Sequence, residues 1–329
     1  GCVAGLYMGF MPVCLAITNV AYNINMGPLQ PMWSALAPTI GLTVFLSFLP
    51  TVLMLVFNTF FTLNTSPEAQ HKLQVWYFWF QFVFVILVTA IGSNFLDFCS
   101  RVSQSPLSFP SLLADQMPGA THFYMNYLVT QLSVHCKELL RYVPLSKFLG
   151  FRTLYSEEEA RKMAEPEDQD YYGRGSRSAR SEIIMVIGIV FSTLSPAVPL
   201  LALLNFACMR LAYGYLIVFA ETKKPDLGGQ FWVTSLRHVM NGTVLYSILM
   251  TGVLLKRSPN FVPGAIALSS LPYMVYYLHH FESKFRWQTM PYVEIMQDKD
   301  ALTSGGDTGE TYEQPELRLE SLEASVSKK

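Results

Sequence analysis

Residues 1 to 67 contain no Asp, Glu, Lys or Arg, and the first charge in the chain is Glu68. A soluble fold keeps ionised side chains on its surface to stay dispersed, and no soluble domain leaves a run of that length uncharged. Over 329 residues the chain is 51% hydrophobic and 14% charged, against about 25% charged in soluble domains. A formal net charge of −1 also lacks the basic face of a nucleic-acid binder. These features define an all-α, polytopic membrane protein.

Further charge-free runs follow at Leu73–Leu96, Gln116–Cys136, Ile183–Met209, His238–Leu255 and Ser258–Phe281. Each suits a helix crossing a hydrocarbon core of about 30 Å, which takes about 20 residues. Lipid offers the backbone no partner, so helices satisfy it where open strands would not, and the alternation of a transmembrane barrel is missing. The first stretch divides at a loop-like composition from Asn23 to Pro38. Span one is expected near residues 1–22, span two near 39–62, span three near 75–98 and span four near 119–142. Ile183 to Ala220 would overshoot one bilayer as a straight helix at 1.5 Å per residue. It is read as a hairpin, spans five and six, breaking near Pro199 to Asn205, with a single kinked helix as the alternative. Spans seven and eight fall near 233–255 and 260–281.

Loop charges orient a bundle of about eight spans. Lys72, Lys147, Arg152, Arg161, Lys162, Arg174, Arg177, Arg180, Lys223, Lys224, Lys284 and Arg286 share one side, and Arg101, Lys256 and Arg257 the other. The positive-inside rule places the first group, with both ends of the chain, in the cytosol. The organisation is then 1–142 for spans one to four, 143–181 for a cytosolic loop, 182–281 for spans five to eight and 282–329 for a largely disordered cytosolic tail. Within the loop, Ser156 is placed to cap a short helix whose Glu triplet suits a helix N-terminus. Gly173 to Ser178 reads as a flexible linker.

Catalytic, metal and cofactor chemistry is not indicated. The five cysteines are scattered without a C-x-x-C pair. The histidines lack ligand spacing, and phosphate-cradling loops and nucleophile elbows are absent from the sequence. Polarity inside the spans is the informative signal. Span four carries Asn126, Thr130, Ser133, Lys137 and Arg141 at spacings of four, three, four and four, with Glu138 beside this stripe. Span two carries Thr43, Ser47, Thr51 and Asn58, with Pro50 as an expected kink. Span three carries Gln81, Thr89, Ser93 and Asp97. Such stripes avoid lipid. They serve either as hydrogen-bonding glue between helices or as the wall of a water-accessible path.

Several segments resemble one family. They are Phe48-Leu49-Pro50-Thr51 with Leu53-Met54, Trp76-Tyr77-Phe78 leading to Gly92-Ser93, and Glu138-Leu139-Leu140-Arg141 followed by Pro144. Ser195-Pro196 with Pro199, and Gly228-Gly229-Gln230-Phe231-Trp232, complete the set. In order and spacing, over residues 1 to about 296, they are similar to the calcium-permeable stress-gated, or hyperosmolality-gated, cation channels, related in fold to the anoctamins. The resemblance implies eleven membrane helices in a whole protein, with a large cytosolic domain before the fourth. This chain would supply the last eight, and the missing initiator Met agrees with a fragment that lacks the N-terminal helices. The pore would be lined by spans one to five, with Thr43, Ser47, Thr51, Gln81, Thr89, Ser93, Asn126, Thr130, Ser133 and Glu138 as candidates. Glu138 matches the acidic residue near the cytosolic end of the family's central pore helix, where it would concentrate cations.

The permeant partners implied are calcium, potassium and sodium, with membrane lipids around a monomer or homodimer. The plasma membrane is the expected location and an endomembrane the alternative. The family's glycines are replaced around Gln131, Val134 and Lys137, which removes a hinge there. Lys137 and Glu138 are about 100° apart on a helix, so one is expected in the pore and the other elsewhere. The function expected is a mechanically or osmotically gated, calcium-permeable cation channel. The alternatives are a lipid scramblase, with headgroups travelling along such a groove, or a secondary transporter, which would call for inverted repeats.

Overall fold

A computed structural model of the chain describes residues 30–61, 65–88, 100, 103–105, 109–164, 173–221 and 227–284, apart from the side chains at 31, 34 and 35. Span one, Thr89, Ser93 and Asp97 lie outside the described residues. Chain packing separates Gly1–His280 from Phe281–Lys329; the first unit holds the bundle. Among the described residues every regular element is a helix. In order they are α1 Gln30–Phe60, α2 Ser66–Gln81, which runs on as a π-helical segment Phe82–Val88, α3 Phe109–Gln116, α4 Thr121–Leu139 and α5 Tyr142–Arg152. Then come α6 Glu157–Ala164, α7 Arg174–Val190, α8 Ala197–Tyr215 with a π-helical end Leu216–Ala220, α9 Gln230–Arg257 and α10 Val262–Lys284. Leu36–Phe60, Ala197–Ala220 and Gln230–Arg257 are each long and apolar enough to cross a membrane.

The helices outrun the charge-free segments. Helix α1 begins at Gln30, inside the expected Asn23–Pro38 loop, and contains both Pro38 and Pro50. Proline removes the N–H that would pair with the carbonyl four residues back. At Pro50 that orphan is Leu46 O, and the buried Tyr77 hydroxyl of α2 donates to it at 2.9 Å. The lost bond of one helix therefore fixes the position of the next. Tyr124 of α4 does the same for the π-helical segment, donating to Val85 O at 2.9 Å and Ile86 O at 2.8 Å.

Helix α7 starts at Arg174, so the glycine-serine stretch expected to be a flexible linker forms its first turns. Gly175 N donates to Gln70 Oε1 at 3.2 Å, which seats that turn against α2. Two helices, α7 and α8, occupy the stretch read as a hairpin, and the break between them lies between Val190 and Ala197 rather than at Pro199–Asn205. Pro199 sits in the first turn of α8, where its missing N–H costs nothing. Asn205, expected at the break, is instead buried mid-helix and ties α8 to α4 by donating to Leu128 O at 3.0 Å. At the start of α6 the roles differ from the expected Ser156 cap: Glu159 reaches back, its carboxylate accepting from the Ser156 hydroxyl at 3.0 Å and from Ser156 N at 3.4 Å, which is the acidic half of a capping box.

The core runs through α1, α2, α4, α7 and α9, with Leu49, Tyr77, Tyr124, Ile187 and Leu249 fully or almost fully enclosed. Helix α9 follows a left-handed glycine pair, Gly228 at φ 58° and Gly229 at φ 90°, a conformation that β-carbons disfavour. Helix α3 packs on α9 at Gly252, where an added β-carbon would stand 2.1 Å from Pro110 O. Gly252→Ala must push backbone apart, and a loss of about 1–3 kcal/mol is expected. A lowered thermal midpoint of the detergent-purified protein checks this; an unchanged midpoint would mean that α3 moves aside freely.

Candidate functional site: a polar cavity closed by a charge cluster

The stripes of α1, α2 and α4 meet at a cavity of ≈ 100 Å³. Thr43 and Ser47 line it from α1, and Tyr77 and Gln81 from α2. Tyr127, Gln131, Lys137 and Glu138 line it from α4, and Arg180 from α7. A water needs about 10–15 Å³ of such space, so several waters fit. Thr43 Oγ1 donates to Thr39 O at 2.8 Å and lies 3.5 Å from Gln131 Nε2. Ser47 Oγ donates to Val44 O at 2.6 Å. Gln81 is fully buried, and neither its Oε1 nor its Nε2 has a hydrogen-bond partner among the described residues. A buried amide without partners costs about 1–3 kcal/mol, and water in the cavity would relieve that cost.

Four of the ten predicted residues, Thr43, Ser47, Gln81 and Glu138, therefore share one cavity. Thr130 acts as glue: its hydroxyl lies 3.1 Å from Thr39 Oγ1 and donates to Asn126 O at 2.9 Å. Asn126 is half-buried and away from the cavity, and Thr51 and Ser133 are exposed and do not line it. Lys137 and Glu138 both line the cavity, contrary to the expected separation. The cavity mouth wraps the C-terminal end of α4, so neighbours about 100° apart reach it from two sides, Lys137 exposed and Glu138 buried.

Glu138 of α4 is only 1% exposed, and two other helices converge on it. Arg180 Nη1 of α7 donates to Oε1 at 2.7 Å, and Arg177 Nε lies 3.6 Å from Oε2. Tyr213 of α8 donates its hydroxyl proton to Oε2 at 2.8 Å. With that proton committed, His135 Nδ1 at 3.2 Å must act as donor to the Tyr213 oxygen. Arg177 also forks onto Glu221 at 2.7 and 2.5 Å and lies over the Tyr213 ring at 4.9 Å. Burial alone would lower the Arg177 pKa; the hydrogen bond to Glu221 and the charges of Glu138 and Glu221 outweigh it and leave the pKa above the ordinary arginine value. Arg141 donates to Ala220 O at 2.5 Å, closing the same end.

Glu138 is conspicuous in the sequence, whereas its partners Arg177, Arg180 and Tyr213, and Glu221 beyond them, are not. Arg177 and Arg180 resemble loop charges, and their spacing of three on a helix is the available signal.

A second buried network lies behind the cavity. Glu182 Oε1 accepts from Gln74 Nε2 at 2.5 Å and Ser235 Oγ at 2.6 Å, and Oε2 lies 2.5 Å from His238 Nδ1. The His238 ring stacks on Phe78 at 3.8 Å between centroids. His71 Nε2 meets Thr234 Oγ1 at 2.8 Å. These side chains bind α2, α7 and α9 together.

Residues 15–254 match the family described as calcium-dependent channel, 7TM region. Among curated proteins the chain is 25% identical over 293 residues to hyperosmolality-gated Ca2+ permeable channel 1.5 of Arabidopsis thaliana, covering 87% of this chain and 37% of that one. It is 23% identical over 271 residues to channel 1.7 of the same plant, covering 80% and 34%. To the uncharacterized protein RSN1 of Saccharomyces cerevisiae it is 27% identical over 224 residues, covering 67% and 23%. The matched part is thus about a quarter to just over a third of each relative's length.

Proposed function

The chain belongs to the calcium-dependent channel family, 7TM region, and from that premise we propose that it forms the pore-bearing part of a calcium-permeable cation channel. Membrane tension or osmotic stress opens it, and calcium, potassium and sodium permeate. The observation that carries this reading is the polar cavity between α1, α2 and α4, with the unpartnered Gln81 amide in its wall. Polar side chains at that depth, facing inward in a membrane protein, mark an ion or water route. Relatives named as Ca2+ permeable channels favour cations over other cargo.

In the arrangement described, the cavity carries Lys137, Arg180 and the neutralised Glu138. That balance repels cations, and conduction requires Glu138 to part from Arg180. About eight spans, both chain ends in the cytosol and residence in the plasma membrane complete the proposal. Tension favours the state of larger membrane area, and a seam between helices is what widens.

The test is patch recording of the full-length protein under graded suction, beside a fluorescent-lipid scrambling assay. Gln81→Leu fills the wall with an apolar side chain of similar size. It removes a buried unsatisfied amide, which is near-neutral or stabilising, while drying the cavity. Unitary conductance is expected to fall severalfold with the protein level unchanged. Unaltered conductance would take the cavity out of the pore, and scrambling without current would favour the scramblase.

A further inference from the structure

We propose that the chain holds an anionic phospholipid of the cytosolic leaflet in a groove separate from the polar cavity, with Arg141 and Arg161 meeting the headgroup phosphate. The proposal rests on the cytosolic orientation given above. The groove has a volume of ≈ 730 Å³ and lies between the end of α4, α5, α6 and the π-helical end of α8. Its walls are apolar and open: Leu140 is 73% exposed, Leu145 54% and Phe219 77%. Exposed side chains of this size cluster where lipid covers them or a partner docks.

Charge complementarity selects the occupant. Arg141 and Arg161 bring two guanidinium groups to the groove, and planar forks of this kind match phosphate oxygens. Glu221 also lines it, with its carboxylate held by the bidentate Arg177. Arg161 is exposed and enters no ion pair among the described residues.

The apolar walls identify a lipid rather than a free anion. Leu211, Tyr215 and Val218 recur at helical spacing along α8, each more than half exposed, and Phe219 continues that strip into the groove. The strip lies on a helix apolar and long enough to cross a membrane. An acyl chain can lie along it while the phosphate reaches the arginines. Neither arginine belongs to the Glu138 cluster, so this site can be altered without opening that clamp.

Full-length protein in mild detergent is titrated with dioleoyl phosphatidylserine, dioleoyl phosphatidylcholine or soluble glycerophosphoserine, with bound lipid counted by native mass spectrometry. Wild type is expected to retain phosphatidylserine in preference to phosphatidylcholine. Arg161→Gln should weaken that retention roughly tenfold, the scale of one charge-assisted hydrogen bond, and Arg161→Lys should restore part of it. Equal retention by wild type and Arg161→Gln overturns the proposal, as does equal binding of the two lipids. Competition by glycerophosphoserine at the same concentration overturns it in favour of a free anion. The readout needs no current, so a protein that binds phosphatidylserine but does not conduct would remove the channel reading alone. Labelling of Lys147→Cys by an impermeant thiol reagent from the extracellular side only would remove the orientation on which this site rests.

Discussion

Glu138→Ala is expected to lower the stability of the protein by about 3–5 kcal/mol, the usual penalty for removing one partner of a buried ion pair. The loss follows from what stays behind. Arg180, with an 11% exposed side chain, and Arg177, with an 8% exposed one, would share an enclosed space without the carboxylate between them. The Tyr213 hydroxyl would lose its acceptor as well. Arg177 retains Glu221, while Arg180 loses its 2.7 Å bond to Oε1. Glu138→Gln keeps one accepting oxygen but sets an NH2 donor in place of the other, and should lose less than Ala. Adding Arg180→Met to Glu138→Ala should recover part of the loss, because the stranded charge goes too. Thermal midpoints from fluorescence-detected size exclusion decide the matter: equal midpoints for wild type and Glu138→Ala would show that the clamp carries no stability. In patches, Glu138→Ala should also change unitary conductance, since the residue lines the cavity.

Glu182→Ala is expected to be nearly as damaging, at about 3 kcal/mol, because donors from two other helices end on that one carboxylate. Gln74, Ser235 and His238 reach it at 2.5 to 2.6 Å, and a stranded buried donor costs about 1–3 kcal/mol. Ser235 can turn to Phe231 O at 2.9 Å, and Gln74 keeps Phe231 O at 3.1 Å. His238 is thus the group left most exposed to the loss, while its ring remains stacked on Phe78. Glu182→Gln should fall between. The same midpoint measurement applies, and a Glu182→Ala protein as stable as wild type would mean that water replaces the carboxylate.

Charge-free runs made the helices legible, since a stretch such as His238–Leu255 has few other fates in lipid. Their ends were less so. Helices α2 and α7 begin in charged sequence at Ser66 and Arg174, and hydropathy treats such residues as boundaries. Here Arg177 finds carboxylates and Glu182 finds hydrogen-bond donors inside the bundle, so charge does not end the helix. The residues that form the cavity were partly legible for a related reason. Helical spacing places Thr43 and Ser47 on one side of α1, and Gln81 was conspicuous as a polar side chain among aromatics. Spacing defines a face but not the neighbour it meets, which is why Ser133 and Thr51 fit the pattern and lie exposed. Partners distant in sequence, such as Tyr213 for Glu138, have no local signature. The short helices α3 and α5 were hidden because they are too brief to span a bilayer.

The two flanks of α4 are joined with unequal strength. Toward α7 and α8 it is tied by the Glu138 clamp, whose disruption costs about 3–5 kcal/mol, and by Asn205 bridging to Leu128. Toward α1 the polar ties are the Thr39–Thr130 hydroxyl pair at 3.1 Å and the Gln131–Thr43 contact at 3.5 Å, each worth about 1 kcal/mol or less. A sideways pull shared by both flanks meets far less polar resistance at the α1 seam. In mechanical terms α7 and α8 together are the hinge post and α4 the door, and the cavity lies along the edge with the weaker latch.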